Sequence, residues 1–273
     1  MAVECRFPPP LRRWALGAAL ALLASPAIAA DNITLRVEVF GMGGLHVATD
    51  RTVIEETGST YAISGDLKTT GLAGMFKEFQ SHSTARGRLA STGAQPEAYN
   101  ADVKRDTGER HDKVDFRASA TASGSSTMPA KAGTGTGGAV TAPPRDTVDP
   151  LTAYFLVERR LGTGGNCTLS VPVFDGRHRY TLRFTDAGGQ KLSATTGQHY
   201  SGEATACKMT RENVAGPPAE KVEMPQRGTI WYARLAPGDL MLPVKVELVT
   251  EIGSVTGHLA EMHGRGADLK FKD

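Results

Sequence analysis

Histidine is the side chain best suited to metal ligation or proton transfer near neutral pH, and the chain carries seven: His46, His82, His111, His178, His199, His258 and His263. None stands in a His-Glu-x-x-His arrangement. His258 and His263 are five residues apart, which places them on neither one helix face nor one strand face, so no metal site is expected. Serine is common, but no Gly-x-Ser-x-Gly elbow occurs. Ser81 and His82 are neighbours in sequence, which carries no weight for a triad. Glu55 and Glu56 would point to opposite faces of a strand and so do not form an acid–base pair. Gly133, Gly135 and Gly138 reproduce the dinucleotide spacing. That motif needs a strand leading in and a helix N-terminus to receive the pyrophosphate. Neither flanks these glycines, so no cofactor is expected and no catalytic residue is assigned.

The densest polar cluster is Asp175-Gly176-Arg177-His178-Arg179-Tyr180. Asp175, Arg177, Arg179 and Tyr180 are the candidate ligand-binding residues, because guanidinium groups suit an anionic ligand. The competing reading is an ordinary hairpin turn with a solvated face. Cys5, Cys167 and Cys207 are the three cysteines. Cys167 and Cys207 lack Cys-x-x-Cys spacing, which speaks against a redox pair, and two thiols alone make a poor zinc site. A structural disulfide between them is expected in an oxidising compartment, with two free thiols as the alternative.

The elements that must position these residues follow from periodicity. Leu35-Arg36-Val37-Glu38-Val39 alternates apolar and polar side chains. So do Tyr180-Thr181-Leu182-Arg183-Phe184 and Val244-Lys245-Val246-Glu247-Leu248. One apolar face and one wet face per strand is the mark of an antiparallel sheet. Turn signals separate the strands at Gly41 with Gly43-Gly44, at Asp175-Gly176, at Pro237-Gly238 and at Gly253. One helix is expected from Asp149, with Asp149 as its cap, Pro150 in the first position and Gly162 just past its end. Leu151, Tyr154, Phe155 and Leu161 can share its apolar face. About ten strands and one helix are expected, which excludes an alternating βαβ pattern. The fold class is mainly β: a curved antiparallel sheet or open β-barrel with one covering α-helix.

Residues 1–29 read as a signal peptide, with Arg12-Arg13, an uncharged apolar run from Trp14 to Leu23, and a small-x-small site at Ala27-Ile28-Ala29. The apolar run is shorter than the roughly 20 residues a membrane span needs, and no later segment is apolar enough. Export to the periplasm is the expectation. Removing the leader takes away three Arg and one Glu, leaving 28 basic residues (31 less 3) and 28 acidic ones (29 less 1). A chain with no net charge and no basic run offers no field for nucleic acid. Residues 30–117 form an N-terminal β half, and 148–273 a C-terminal half with the helix, in what is expected to be one continuous domain. Between them, 118–147 is set apart as a low-complexity flexible loop, its 118–144 stretch being rich in Ala, Ser, Thr and Gly.

Several of these pieces resemble the bacterial exported family called domain of unknown function 3108. They are Gly43-Gly44-Leu45-His46-Val47-Ala48, Asp149-Pro150-Leu151-Thr152-Ala153, Val173-Phe174-Asp175-Gly176-Arg177-His178-Arg179-Tyr180, the second Cys207, and Leu242-Pro243-Val244-Lys245-Val246. The likeness covers most of the chain outside the low-complexity loop. It implies a location and an architecture, not a reaction.

Three functional expectations follow. The first is a non-enzymatic periplasmic protein holding a lipid or other envelope component in an apolar groove between a curved sheet and its helix. The second is an envelope structural or protein-interaction module, marked by a filled core and an exposed apolar patch or unpaired sheet edge. The third is an unrecognised hydrolase, which requires a nucleophile and a base within hydrogen-bond reach. The candidate partners are therefore a lipid or an envelope protein.

Overall fold

The computed structural model describes residues 31–70, 79–90, 93–117, 140–194, 199–215, 225–238, 240–250 and 253–271. The leader and residues 118–139, with the three glycines of the nucleotide-like spacing, lie outside them. The first meander comprises β1 (Asp31–Phe40), β2 (His46–Thr57), β3 (Thr60–Thr69), β4 (Phe79–Ala90), β5 (Gly93–Arg105) and β6 (Gly108–Asp115). A short strand β7 (Val140–Thr141) and a helix α1 (Pro150–Gly162) follow. The second meander is β8 (Leu169–Phe174), β9 (Arg179–Leu192), β10 (Gly202–Ala215), β11 (Arg227–Ala233), β12 (Leu242–Thr250), β13 (Gly253–Gly264) and β14 (Ala267–Lys270).

Fourteen strands rather than about ten form this sheet. The difference lies in polar strands such as β4, β5 and β6, whose wet residues hide the period-two signal. The order is β7-β6-β5-β4-β3-β2-β1-β13-β12-β11-β10-β9-β8, with β14 on β13. Each meander adds strands to its predecessor, and the halves join where β1 pairs with β13, Leu35 opposite Met262. All pairings are antiparallel except β6 with β7, where Lys113 faces Val140 in parallel. This strand lies in the stretch 118–147 expected to be a low-complexity flexible loop. It gains structure because its backbone completes the edge of β6.

The sheet curls, with bulges in β1 at Arg36/Val37 and in β10 at Thr205/Cys207 that raise the local twist. It does not close into a barrel. Its end strands, β7 and β8, are not paired with each other among the described residues. The chain between them spans the gap: β7 lies on β6, and Val148 bridges to Val173 of β8.

Helix α1 lies across this opening and touches β3, β4, β5 and β8. Asp149 caps it, accepting from the Thr152 backbone N–H at 2.8 Å, and Pro150 takes the first position. Gly162 is the last helical residue instead of the one beyond. Thr163 is the C-cap, and Gly164, at φ 87°, takes the left-handed position expected of Gly162. Phe155 packs with Ile33, Leu35, Ile54, Tyr61 and Leu242 on one side of the interior. Val157 and Leu161 pack with Val171, Leu182, Phe184 and Met209 on the other. The C-terminal end of α1 is held by Arg159 to Glu56 (3.3 Å), and Glu56 also receives Arg265 at 3.1 Å. Cys167 and Cys207 are disulfide-bonded and fully buried, their Cα atoms 5.6 Å apart, which ties the chain entering β8 to β10.

Candidate functional site

The β8–β9 turn is built around Asp175. Its carboxylate accepts from the backbone N–H of Arg177 at 2.9 Å and of His178 at 2.7 Å, while Gly176 supplies φ 96°. Burial pushes this carboxyl up, but hydrogen bonds from the His178 ring and from the two backbone groups hold it below the usual carboxylate range. The turn tip packs on β6, where a Cβ on Gly176 would stand 3.1 Å from the Cβ of Asp112. Burial raises the Asp112 carboxyl, against the charges of Arg110 (2.7 Å away) and Arg177. Arg179 points to solvent and Tyr180 is wholly interior. The four candidates therefore do not converge. Asp175 shapes the turn, Arg177 faces the seam to β6, Arg179 is wet, and Tyr180 belongs to the core.

Tyr180 leads to a group that the turn does not contain. The guanidinium of Arg211, on β10, lies over the Tyr180 ring, 4.0 Å from its centroid. Arg211 is 6% exposed, and its Nε, Nη1 and Nη2 have no hydrogen-bond partner. Tyr154 of α1 is also close to this charge. One turn further along the helix, Glu158 is 7% exposed and its Oε2 has no partner. Burial, and then the charge of Glu56, push the Glu158 carboxyl up to about 8, so at neutral pH it holds its proton. Tyr232 stands between, raised by burial and by the charge of Glu158. Among the described residues, the interior thus holds a guanidinium stacked on Tyr180 with no acceptor for its donors, and a neutral acid in Glu158, among apolar and aromatic walls.

Sequence reasoning missed both groups, although each leaves a signal. Cys207, Met209 and Arg211 fall at period two, so Arg211 sits on the apolar face of its strand. Leu151, Phe155, Glu158 and Leu161 follow helical spacing, so Glu158 interrupts an apolar stripe.

Proton-transfer chemistry finds less support. On the outer face, His82 meets Asp66 and His111 meets Asp102, each at 2.6 Å and well exposed. His46 comes nearest to a triad: its Nδ1 lies 3.3 Å from Thr70 Oγ1 and its Nε2 2.5 Å from Glu38 Oε2. Glu38 is shared with Arg36 and Thr49. Thr70 is internal to the chain and lacks the terminal amine that activates threonine nucleophiles. Among the described residues, no three His, Cys, Asp or Glu side chains converge as metal ligands, and no helix is long and apolar enough to cross a membrane.

Fold and interior together define a β-rich protein whose single open sheet wraps a helix and a partly polar core. The chain belongs to the family described as protein of unknown function DUF3108, whose profile matches residues 34–260. No curated protein matches it. Among solved structures it is similar to a crystal structure of a β-barrel-like protein of domain of unknown function DUF1849 from Brucella abortus. The identity is 11%, with 87% of this chain and 99% of that chain covered and a TM-score of 0.49.

Proposed function

We propose that this is a non-enzymatic periplasmic protein that binds a lipid or other amphiphilic envelope component in the interior between α1 and the curved sheet. One observation carries this reading: no continuous strand ladder joins the ends of the sheet, where only the segment with β7 and Val148 bridges, and α1 packs against β3, β4, β5 and β8 beside that seam. A ligand reaches the apolar interior of a closed barrel only by breaking ladder hydrogen bonds. Here, displacing α1 from β5 and β8 exposes Phe155, Leu156 and the apolar sheet face with every sheet ladder intact. The test is purification from the native periplasm, followed by native mass spectrometry and solvent extraction. A stoichiometric amphiphile is expected, on a mature chain beginning at Ala30. A chain recovered from the periplasm without a bound amphiphile refutes it.

A second reading, an envelope protein-interaction module, is favoured by a different observation. Beyond its ladder with β9, the outer edge of β8 from Leu169 to Val171 has no strand partner among the described residues, and such an edge can accept an extended peptide. Capture of a protein partner without lipid, lost when the outward N–H of β8 is removed by a Ser170→Pro substitution, is the result that separates it from the first.

A further inference from the structure

We infer that Arg211 is the anchor for the oxyanion head of the bound amphiphile, a carboxylate being the head its geometry fits. This rests on the reading above and specifies the ligand's chemistry. A guanidinium stays charged at any physiological pH and carries five donors. Left buried without acceptors, it is among the most unfavourable groups a core can hold. At Arg211 three nitrogens are in that state.

Among the described residues, the interior acids and those beside Arg211 are otherwise engaged. Glu212, adjacent in sequence, faces the opposite side of the sheet and takes Arg183 at 2.8 Å. Asp175 is occupied by His178 and the turn backbone. Glu158 is protonated at neutral pH, and the wholly buried Asp149 takes the Thr152 backbone N–H and hydroxyl. None of the described residues offers Arg211 an anion.

The surroundings select the rest of the ligand. One face of the guanidinium is covered by Tyr180, and the neighbouring inner positions are Met209, on its own strand, and Leu182, opposite it on β9. A planar fork backed by an aromatic ring presents its donors edge-on, which matches the two oxygens of a carboxylate. The adjacent apolar cluster suits a hydrocarbon chain rather than a second polar group. A small free oxyanion would gain the charge contact without that burial and is expected to bind far more weakly.

The experiment compares a fluorescent fatty acid, 11-(dansylamino)undecanoic acid, with its methyl ester and with acetate and inorganic phosphate, using the full mature protein. Charge-assisted hydrogen bonds in a dry site predict that the acid binds roughly 10- to 100-fold tighter than the ester. In Arg211→Met the two should bind alike, at the wild-type ester affinity, and Arg211→Lys should keep part of the preference. Acetate and phosphate are expected to displace the acid only at millimolar concentration or above. Equal wild-type binding of acid and ester overturns the Arg211 assignment and leaves the amphiphile reading standing. Binding of neither dye overturns the amphiphile reading, and efficient displacement by phosphate alone replaces it with a small-anion site at Arg211. The acid–ester comparison needs no variant, so it holds even if a substitution prevents folding.

Discussion

Glu158 offers the sharpest test of the interior. In the folded chain burial, and then Glu56, raise its carboxyl from 4.5 to about 8. A carboxyl raised in the folded state contributes stability in full below its unfolded value. That contribution falls as pH rises from about 4.5 to about 8 and is gone above. Keeping the proton on at pH 7.5, at 1.36 kcal/mol per decade, opposes folding by about 4 kcal/mol, and by less than about 1 kcal/mol at pH 5. Glutamine has the shape of the protonated acid and does not titrate. Glu158→Gln should therefore be more stable than wild type by about 4 kcal/mol at pH 7.5 and nearly equal to it at pH 5. Urea unfolding followed by far-UV circular dichroism, with the disulfide intact, reads this directly, provided that the slope on denaturant is the same for both proteins. Asp50 and Asp149, both raised to about 6 by burial, tilt the two curves alike and cancel in the difference. Parallel stability curves for variant and wild type between pH 5 and 7.5 would refute the account of a buried acid whose Oε2 has no partner.

The remaining predictions concern the frame. Removing the disulfide with Cys167→Ala and Cys207→Ala releases a separation of 40 residues and should lower unfolding free energy by about 4 kcal/mol in chain-entropy terms; a calorimetric melting temperature within a degree of wild type would contradict this. Asp149→Ala leaves the Thr152 backbone N–H and the Thr152–Tyr61 hydroxyl pair without their acceptor and should destabilise by about 2 kcal/mol in urea titration. Gly264→Ala places a Cβ 2.0 Å from the Asn32 carbonyl oxygen at φ 122°. It should cost about 3 kcal/mol, whereas Gly43→Ala, with open space at its Cβ position, should cost less in the same thermal melt.

Much of the architecture was written locally. The alternation in β1, β9 and β12 put Leu35, Leu182 and Val246 on apolar faces, and the Asp149-Pro150 start of α1 is a backbone rule that needs no tertiary context. Strands β4 to β6 were harder to read, because few of their inward residues are large. Ala85, Ala101 and Val114 bury little area each and become core only when Tyr99, Phe116 and Phe174 close over them. The candidate cluster at 175–180 illustrates the limit. Its residues are close in sequence, yet a turn sends consecutive side chains to a seam, to solvent and to the core.

By itself, then, the sequence determined that this chain is an antiparallel β protein with one capped helix, because side-chain period and end-capping are properties of neighbouring residues. Arg211 and Glu158 stood on apolar faces of their elements but were not picked out from the sequence. Only the tertiary structure decided that the sheet stays open with α1 across its gap, and that Arg211 rests on Tyr180 without an anion. The physical reason is that burial and pairing are set by residues distant in the chain: a guanidinium on an apolar face is tolerable beside a carboxylate, and the packed fold leaves this one with none among the described residues.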